Sequence, residues 1–144
     1  MTDRRVFIKS LNGAGNVGEY IESVVAVTVT GATSDVALNV TSISLGAGDW
    51  DVFGMALALN AGVTTWTKFK ASISQTSATQ GAESAQSHVF VITGGDPPIP
   101  PLLVVPTLRV LLTATTTIYL VATVTFSGST FGVGGRLSAR RAAR

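Results

Sequence analysis

Ile43-Ser44-Leu45-Gly46-Ala47-Gly48-Asp49-Trp50-Asp51-Val52 divides into two strand-like pieces around a Gly-Asp turn, with an aromatic residue opening the second piece. Gly48 can take positive φ without steric cost, Asp49 is suited to hydrogen-bond nearby backbone amides, and Trp50 suits a half-buried position where a strand joins its sheet. The triplet Gly48, Asp49 and Trp50 therefore reads as a structural turn at a sandwich corner. Beyond it, Phe53, Met55, Leu57 and Leu59 point one way while Val52, Gly54, Ala56 and Ala58 point the other. A strand apolar on both faces is central in its sheet or covered by a neighbouring subunit, and the small residues of the second face imply close packing there.

The same period of two runs outward in both directions. Upstream, Val25, Val27 and Val29 share a face, and Val36, Leu38 and Val40 lead into Ile43 and Leu45. Downstream, over residues 65–74, Phe69, Ala71 and Ile73 alternate with Lys68, Lys70, Ser72 and Ser74, which predicts one face on the core and one in water. Residues 75–86 are rich in Ser, Thr, Ala and Gln without apolar periodicity and read as an exposed loop, and residues 88–93 are again strand-like. Gly94-Gly95-Asp96-Pro97-Pro98-Ile99-Pro100-Pro101 is a stiff connector, because its prolines lack amide donors. Residues 108–112 and 118–126 form two strands joined by a Thr-rich turn. Residues 131–140 form the last, with Val133, Leu137 and Ala139 on one side and Arg136 and Arg140 on the other. The pattern predicts an all-β chain, a β-sandwich or jelly roll of about eight antiparallel strands over residues 24–144. Residues 1–23 depart from it and read as an extended N-terminal docking arm.

Composition narrows the setting. A chain of 144 residues buries a proper core as one domain. Its charged fraction of 12% is about half the ordinary value, and its mean hydropathy is +0.44, so subunit interfaces are expected to cover part of the apolar surface. No run approaches the roughly 20 apolar residues of a membrane helix, since Arg109 interrupts residues 102–112 and threonines dilute residues 118–126; a soluble protein with no membrane partner is expected. Residues 1–9 lack the apolar core of a signal peptide. With no cysteine there are no disulfides or thiolate metal sites. The net charge of +2 is too small to imply nucleic-acid binding, although Arg136, Arg140, Arg141 and Arg144 crowd the C-terminus.

Three segments carry a family resemblance: residues 43–52 quoted above, Leu111-Leu112-Thr113-Ala114-Thr115-Thr116-Thr117-Ile118-Tyr119-Leu120-Val121-Ala122, and Gly135-Arg136-Leu137-Ser138-Ala139-Arg140-Arg141. Together they resemble small virion structural proteins of tailed bacteriophages and prophages, over residues 36–144. More distantly, the strand order resembles the trimeric C1q and tumour-necrosis-factor type of jelly roll, except that Ala114-Thr115-Thr116-Thr117 stands where that type has a Gly-Asp pair. The resemblance implies a non-enzymatic component on the exterior of a capsid or tail, made in the bacterial host cytoplasm. It would form a homotrimer and bind major capsid or tail proteins as a decoration or cementing module. The alternative is a tail-tip or fibre module that binds a host-surface glycan.

Candidate chemistry is sparse, and no cofactor is expected. Gly13-Ala14-Gly15-Asn16-Val17-Gly18 matches the dinucleotide-loop spacing, but the β-branched run at 24–30 leaves no room for the required helix, so it reads as a hinge. His88 is the only histidine and has no metal-ligand spacing to Glu83 or Asp96; no nucleophile elbow surrounds Ser84 or Ser87. Asp49 and Asp51 share a strand face, where backbone capping outweighs calcium or glycosidase chemistry. Trp50, Phe53, Trp66 and Phe69 have core spacing, with Trp66 at a strand start left as a receptor contact beside His88. Arg4, Arg5, Arg136, Arg140, Arg141 and Arg144 are the expected subunit or particle contacts. Arg140 and Arg141 point to opposite faces, which argues against nucleic acid as a partner.

Overall fold

The computed structural model describes residues 4–9, 18–28, 31–60, 65–82, 87–91, 102–128 and 131–142. Among them lie nine strands: β1 (Arg4–Lys9), β2 (Tyr20–Thr28), β3 (Leu38–Leu45), β4 (Gly48–Asn60), β5 (Thr65–Ser74), β6 (Ser87–Val91), β7 (Leu102–Leu112), β8 (Thr116–Ser127) and β9 (Phe131–Arg141). They form a five-stranded sheet, ordered β1-β2-β9-β4-β7, and a four-stranded sheet, ordered β3-β8-β5-β6. Every pairing is antiparallel. Strands β2 to β9 pair as one long hairpin would, β2 with β9, β3 with β8, β4 with β7 and β5 with β6, and successive pairs alternate between the sheets. That is the eight-stranded jelly roll, with β1 added at one edge.

Alternation decides which side of each strand is inside. Trp50, Val52, Ala56 and Ala58 of β4 face the opposite sheet, where Phe69, Ala71 and Ile73 of β5 and Ile118 and Leu120 of β8 meet them. The small face of β4 is thus the inner one, and the sheets come close across it. A Cβ at Gly54 would lie 3.1 Å from Leu120 Cδ1, and one at Gly135 would lie 2.4 Å from the Met55 carbonyl oxygen. Glycine at 135 is required by this approach, because a backbone oxygen cannot give way.

Several boundaries differ from the sequence reading for identifiable reasons. The arm boundary after residue 23 falls inside β2, because Ile21, Ser23 and Val25 already alternate inward; residues 4–9 pair with 20–25 as an edge strand. β7 starts at Leu102 rather than at 108: Pro106 is tolerated on an edge strand, and a register shift opposite Val52 and Gly54 absorbs it. The two-residue connection between β3 and β4 is Gly46-Ala47, so Gly48, Asp49 and Trp50 open β4 instead of forming the turn itself. The outer face of β5 is not fully wet either. Residues 75–82 fold back over it, and Ser72 and Ser74 are buried beneath them. The proline segment 94–101 and most of the glycine motif at 13–18 lie outside the described residues.

Candidate functional site: an apolar sheet face

The corner that opens the sequence reading is a clamp. Trp50 is fully buried and donates from Nε1 to the Gly46 carbonyl at 2.9 Å. The Arg141 guanidinium lies 4.3 Å from the centre of its ring, donates to the Ala47 carbonyl at 2.7 Å and pairs with Glu19 at 3.0 Å. Backbone bonds complete the joint: Gly18 donates to the Arg141 carbonyl, Arg141 to Glu19, and Ala142 to Asp49. Gly48, at φ 144°, leaves room for this, since a Cβ there would sit 1.8 Å from an Arg141 nitrogen. Arg141 is therefore not a free contact residue; its side chain is only 11% exposed. It ties the start of β2, the end of β9 and the start of β4 together. Its partner Glu19 carried no local sequence signal, being 122 positions away.

The proposed receptor pair separates. Trp66 is 1% exposed, with ring centres 6.0 Å from Phe90 and 6.4 Å from Phe131, so it belongs to the core and is corrected to that role. A register shift between Trp66 and Lys68 explains it: the extra residue turns Trp66 to the same side as Phe69. His88 is exposed, with Nδ1 2.9 Å from the Val104 carbonyl oxygen, where it bridges the edge strands of the two sheets. The loop beside it is held in place. Asn39 donates to Ser77 and accepts from the Ala78 amide, both at 2.7 Å, while Gln80 donates to Thr123 at 2.7 Å and the Gly81 amide donates to Ser72 at 2.9 Å. Part of the outer face of the four-stranded sheet is thus finished by its own chain with polar contacts.

The five-stranded sheet is not finished in this way. Its outer face presents the large residues of β4, flanked by β7, β9 and β2 in aligned rows. Leu57 lies between Leu102 and Gly134; Met55 lies between Val104 and Arg136, with Val24 beyond; Phe53 lies beside Ser138, with Glu22 beyond. Phe53 is 43% exposed, Leu102 54% and Val104 59%. Two shallow grooves cross this surface, of ≈ 380 Å³ against Tyr20, Phe53 and Val104 and of ≈ 290 Å³ against Val24, Leu57 and Leu102; Met55 and Arg136 line both.

On β2, β4, β7 and β9 the charged residues lie around that apolar centre. Asp49 grips Arg109 through two bonds, at 3.0 and 2.7 Å, and this contact raises the Arg109 pKa further above its usual value. Arg136 pairs with Glu22 at 2.7 Å and donates to the Tyr20 hydroxyl at 2.8 Å; the Tyr20 bond is the main cause of its raised pKa. Arg140 stands opposite Asp51 in register. Two guanidinium groups on this face are thus held by carboxylates, and a third stands opposite one in the strand register. Of the other arginines expected to make contacts, Arg4 and Arg5 lie on β1 opposite Val25 and Val24, and Arg144 lies outside the described residues.

Among the described residues, no group of three His, Cys, Asp or Glu is placed to hold a metal ion, and no helix is long and apolar enough to cross a membrane. No protein-family model and no curated protein sequence matches the chain. Among solved structures, it is similar to a chain of infectious bursal virus derived T=1 particles, at 13% identity and a TM-score of 0.47, covering 97% of this chain and 32% of that one. It is likewise similar to the D431N mutant VP2 protein of infectious bursal disease virus, at 15% identity and a TM-score of 0.44, covering 96% of this chain and 32% of that one. The chain therefore spans about a third of the length of these structures.

Proposed function

We propose that the chain is a non-enzymatic structural subunit of a virus particle, a tailed-phage capsid decoration or cementing module that assembles through the outer face of its five-stranded sheet. The observation that carries this reading is the placement of Phe53, Met55 and Leu57 outward while the same strand turns its small residues inward. An apolar sheet face of this extent calls for a partner. The low charge of the chain and the partial polar closure of the opposite sheet support the reading. The absence of a shaft repeat in the sequence favours a module over a fibre. A subunit that binds only the assembled particle stabilises it by mass action. The sequence resemblance implied a homotrimer; the relief of this face instead favours a contact with a second copy about a two-fold axis. The glycan-receptor alternative loses Trp66 to the core.

The test is mass spectrometry of density-purified particles from the bacterium that makes the protein. The chain is expected in them at a fixed stoichiometry to the major shell or tail protein. Its presence in the cell lysate with none in the particles would overturn the reading.

A further inference from the structure

We propose that a second copy of this chain seats on the outer face of the five-stranded sheet, about a two-fold axis, with the Met55-Arg136 ridge of each copy lying in a groove of the other. The inference deepens the structural-subunit reading and rests on it.

The relief of the face is the first support. Met55 and Arg136 are cross-strand partners, and together they separate two grooves that are both lined largely by apolar side chains. A ridge flanked by grooves can be complementary to a copy of itself, which is what an isologous contact requires. Sheets that pack face to face lie about 10 Å apart with interdigitating side chains, and alternating ridges and grooves meet that condition.

Charge selects the occupant. A nucleic acid or an anionic lipid surface needs cations without local partners. Here Arg109 and Arg136 are held by Asp49 and Glu22, and Arg140 faces Asp51. Over β2, β4, β7 and β9 the three arginines are balanced by three carboxylates, so a second copy laid on these four strands brings no net charge, and the Arg136-Glu22 pair stays formed under it. The pairs around Asp49, Asp51 and Arg109 sit toward one end of the face and supply the polar rim of an interface whose apolar centre is Phe53, Met55 and Val104.

Size agrees. Four strands about 4.8 Å apart and nine residues at about 3.3 Å each give a face of about 19 by 30 Å. That is about 570 Å² in projection, and side-chain relief brings it to the order of the ~800 Å² that each partner contributes to a standard interface.

Native mass spectrometry and sedimentation equilibrium of the full chain at micromolar concentration are expected to show a dimer or an even multiple of it. Met55→Glu should weaken association at least tenfold, while Ser44→Glu on the other sheet leaves it unchanged. Far-UV circular dichroism checks that the fold survives, and Val104→Glu replaces Met55→Glu if it does not. A wild-type monomer, an odd-numbered oligomer such as a trimer, or a folded ridge variant that still associates normally would overturn the two-fold contact. Detection of the chain in purified particles is independent of these results, so a monomer found in particles would overturn this contact and leave the structural role standing.

Discussion

Trp66→Ala is expected to destabilise the fold by about 3–5 kcal/mol, the usual cost of emptying a buried aromatic site. Trp66 fills the space between Phe90 of β6 and Phe131 of β9, and Phe131 in turn lies 5.3 Å from Phe126 of β8. The substitution therefore opens a cavity where both sheets meet. Urea unfolding followed by circular dichroism measures it, and a fall in Tm of about 10 °C is expected for a chain of this length. A Trp66 that served as a receptor contact would behave otherwise, with stability unchanged and only binding lost. Unfolding within about 0.5 kcal/mol of the parent would return Trp66 to the surface.

Arg141→Ala is expected to cost a similar amount, about 3–5 kcal/mol, because it breaks a buried pair and leaves the Glu19 carboxylate without its guanidinium. The same side chain holds the Ala47 carbonyl and lies over the Trp50 ring, so the β3 to β4 corner loosens along with the start of β2. The adjacent Arg140→Ala supplies the contrast. Arg140 lies on the exposed outer face, and its removal should change stability by no more than about 0.5 kcal/mol. Equal effects for the two neighbours would show that the clamp does not hold the corner. Hydrogen exchange at the amides of Gly18 and Ala142, which close the joint, should quicken only in Arg141→Ala.

What the sequence made legible is what local backbone geometry decides. β5 and β9 match their expected spans within a residue, because period-two alternation is fixed by the pleat and each strand carries its own record of it. The opposite orientations of Arg140 and Arg141 follow from the same rule, and the structure uses both: one faces out beside Asp51, the other turns in over Trp50. Departures occur where one inserted residue resets the phase. The shift at Trp66 turned an apparent surface residue into core, and the shift opposite Val52 and Gly54 let β7 run through Pro106. The first insertion is not marked by composition, and the second is marked only by Pro106.

Long-range pairings were beyond reach for a different reason. Nothing around Glu19 announces Arg141, and nothing around Asp49 announces Arg109, 60 positions on. Only the rolled hairpin topology brings those pairs together. The two apolar faces of β4 were evident from the start, and the inward turn of the small one could be anticipated from the close packing it permits. The consequence for the large face depended on which sheet β4 joined. It lies between β9 and β7, and no segment among the described residues crosses over Phe53, Met55 and Leu57 as residues 75–82 cross the other sheet. The feature that identifies the fold therefore also marks the surface proposed for assembly.

Hydroxyl-radical footprinting of dilute and assembled protein reads that surface directly, since oxidation of Met55 and Phe53 follows their access to solvent. Protection of both residues on assembly, with Tyr119 and Phe126 of the other sheet unchanged, is the predicted result. Equal oxidation of Met55 and Phe53 in the dilute and assembled states would contradict an assembly role for the five-stranded sheet.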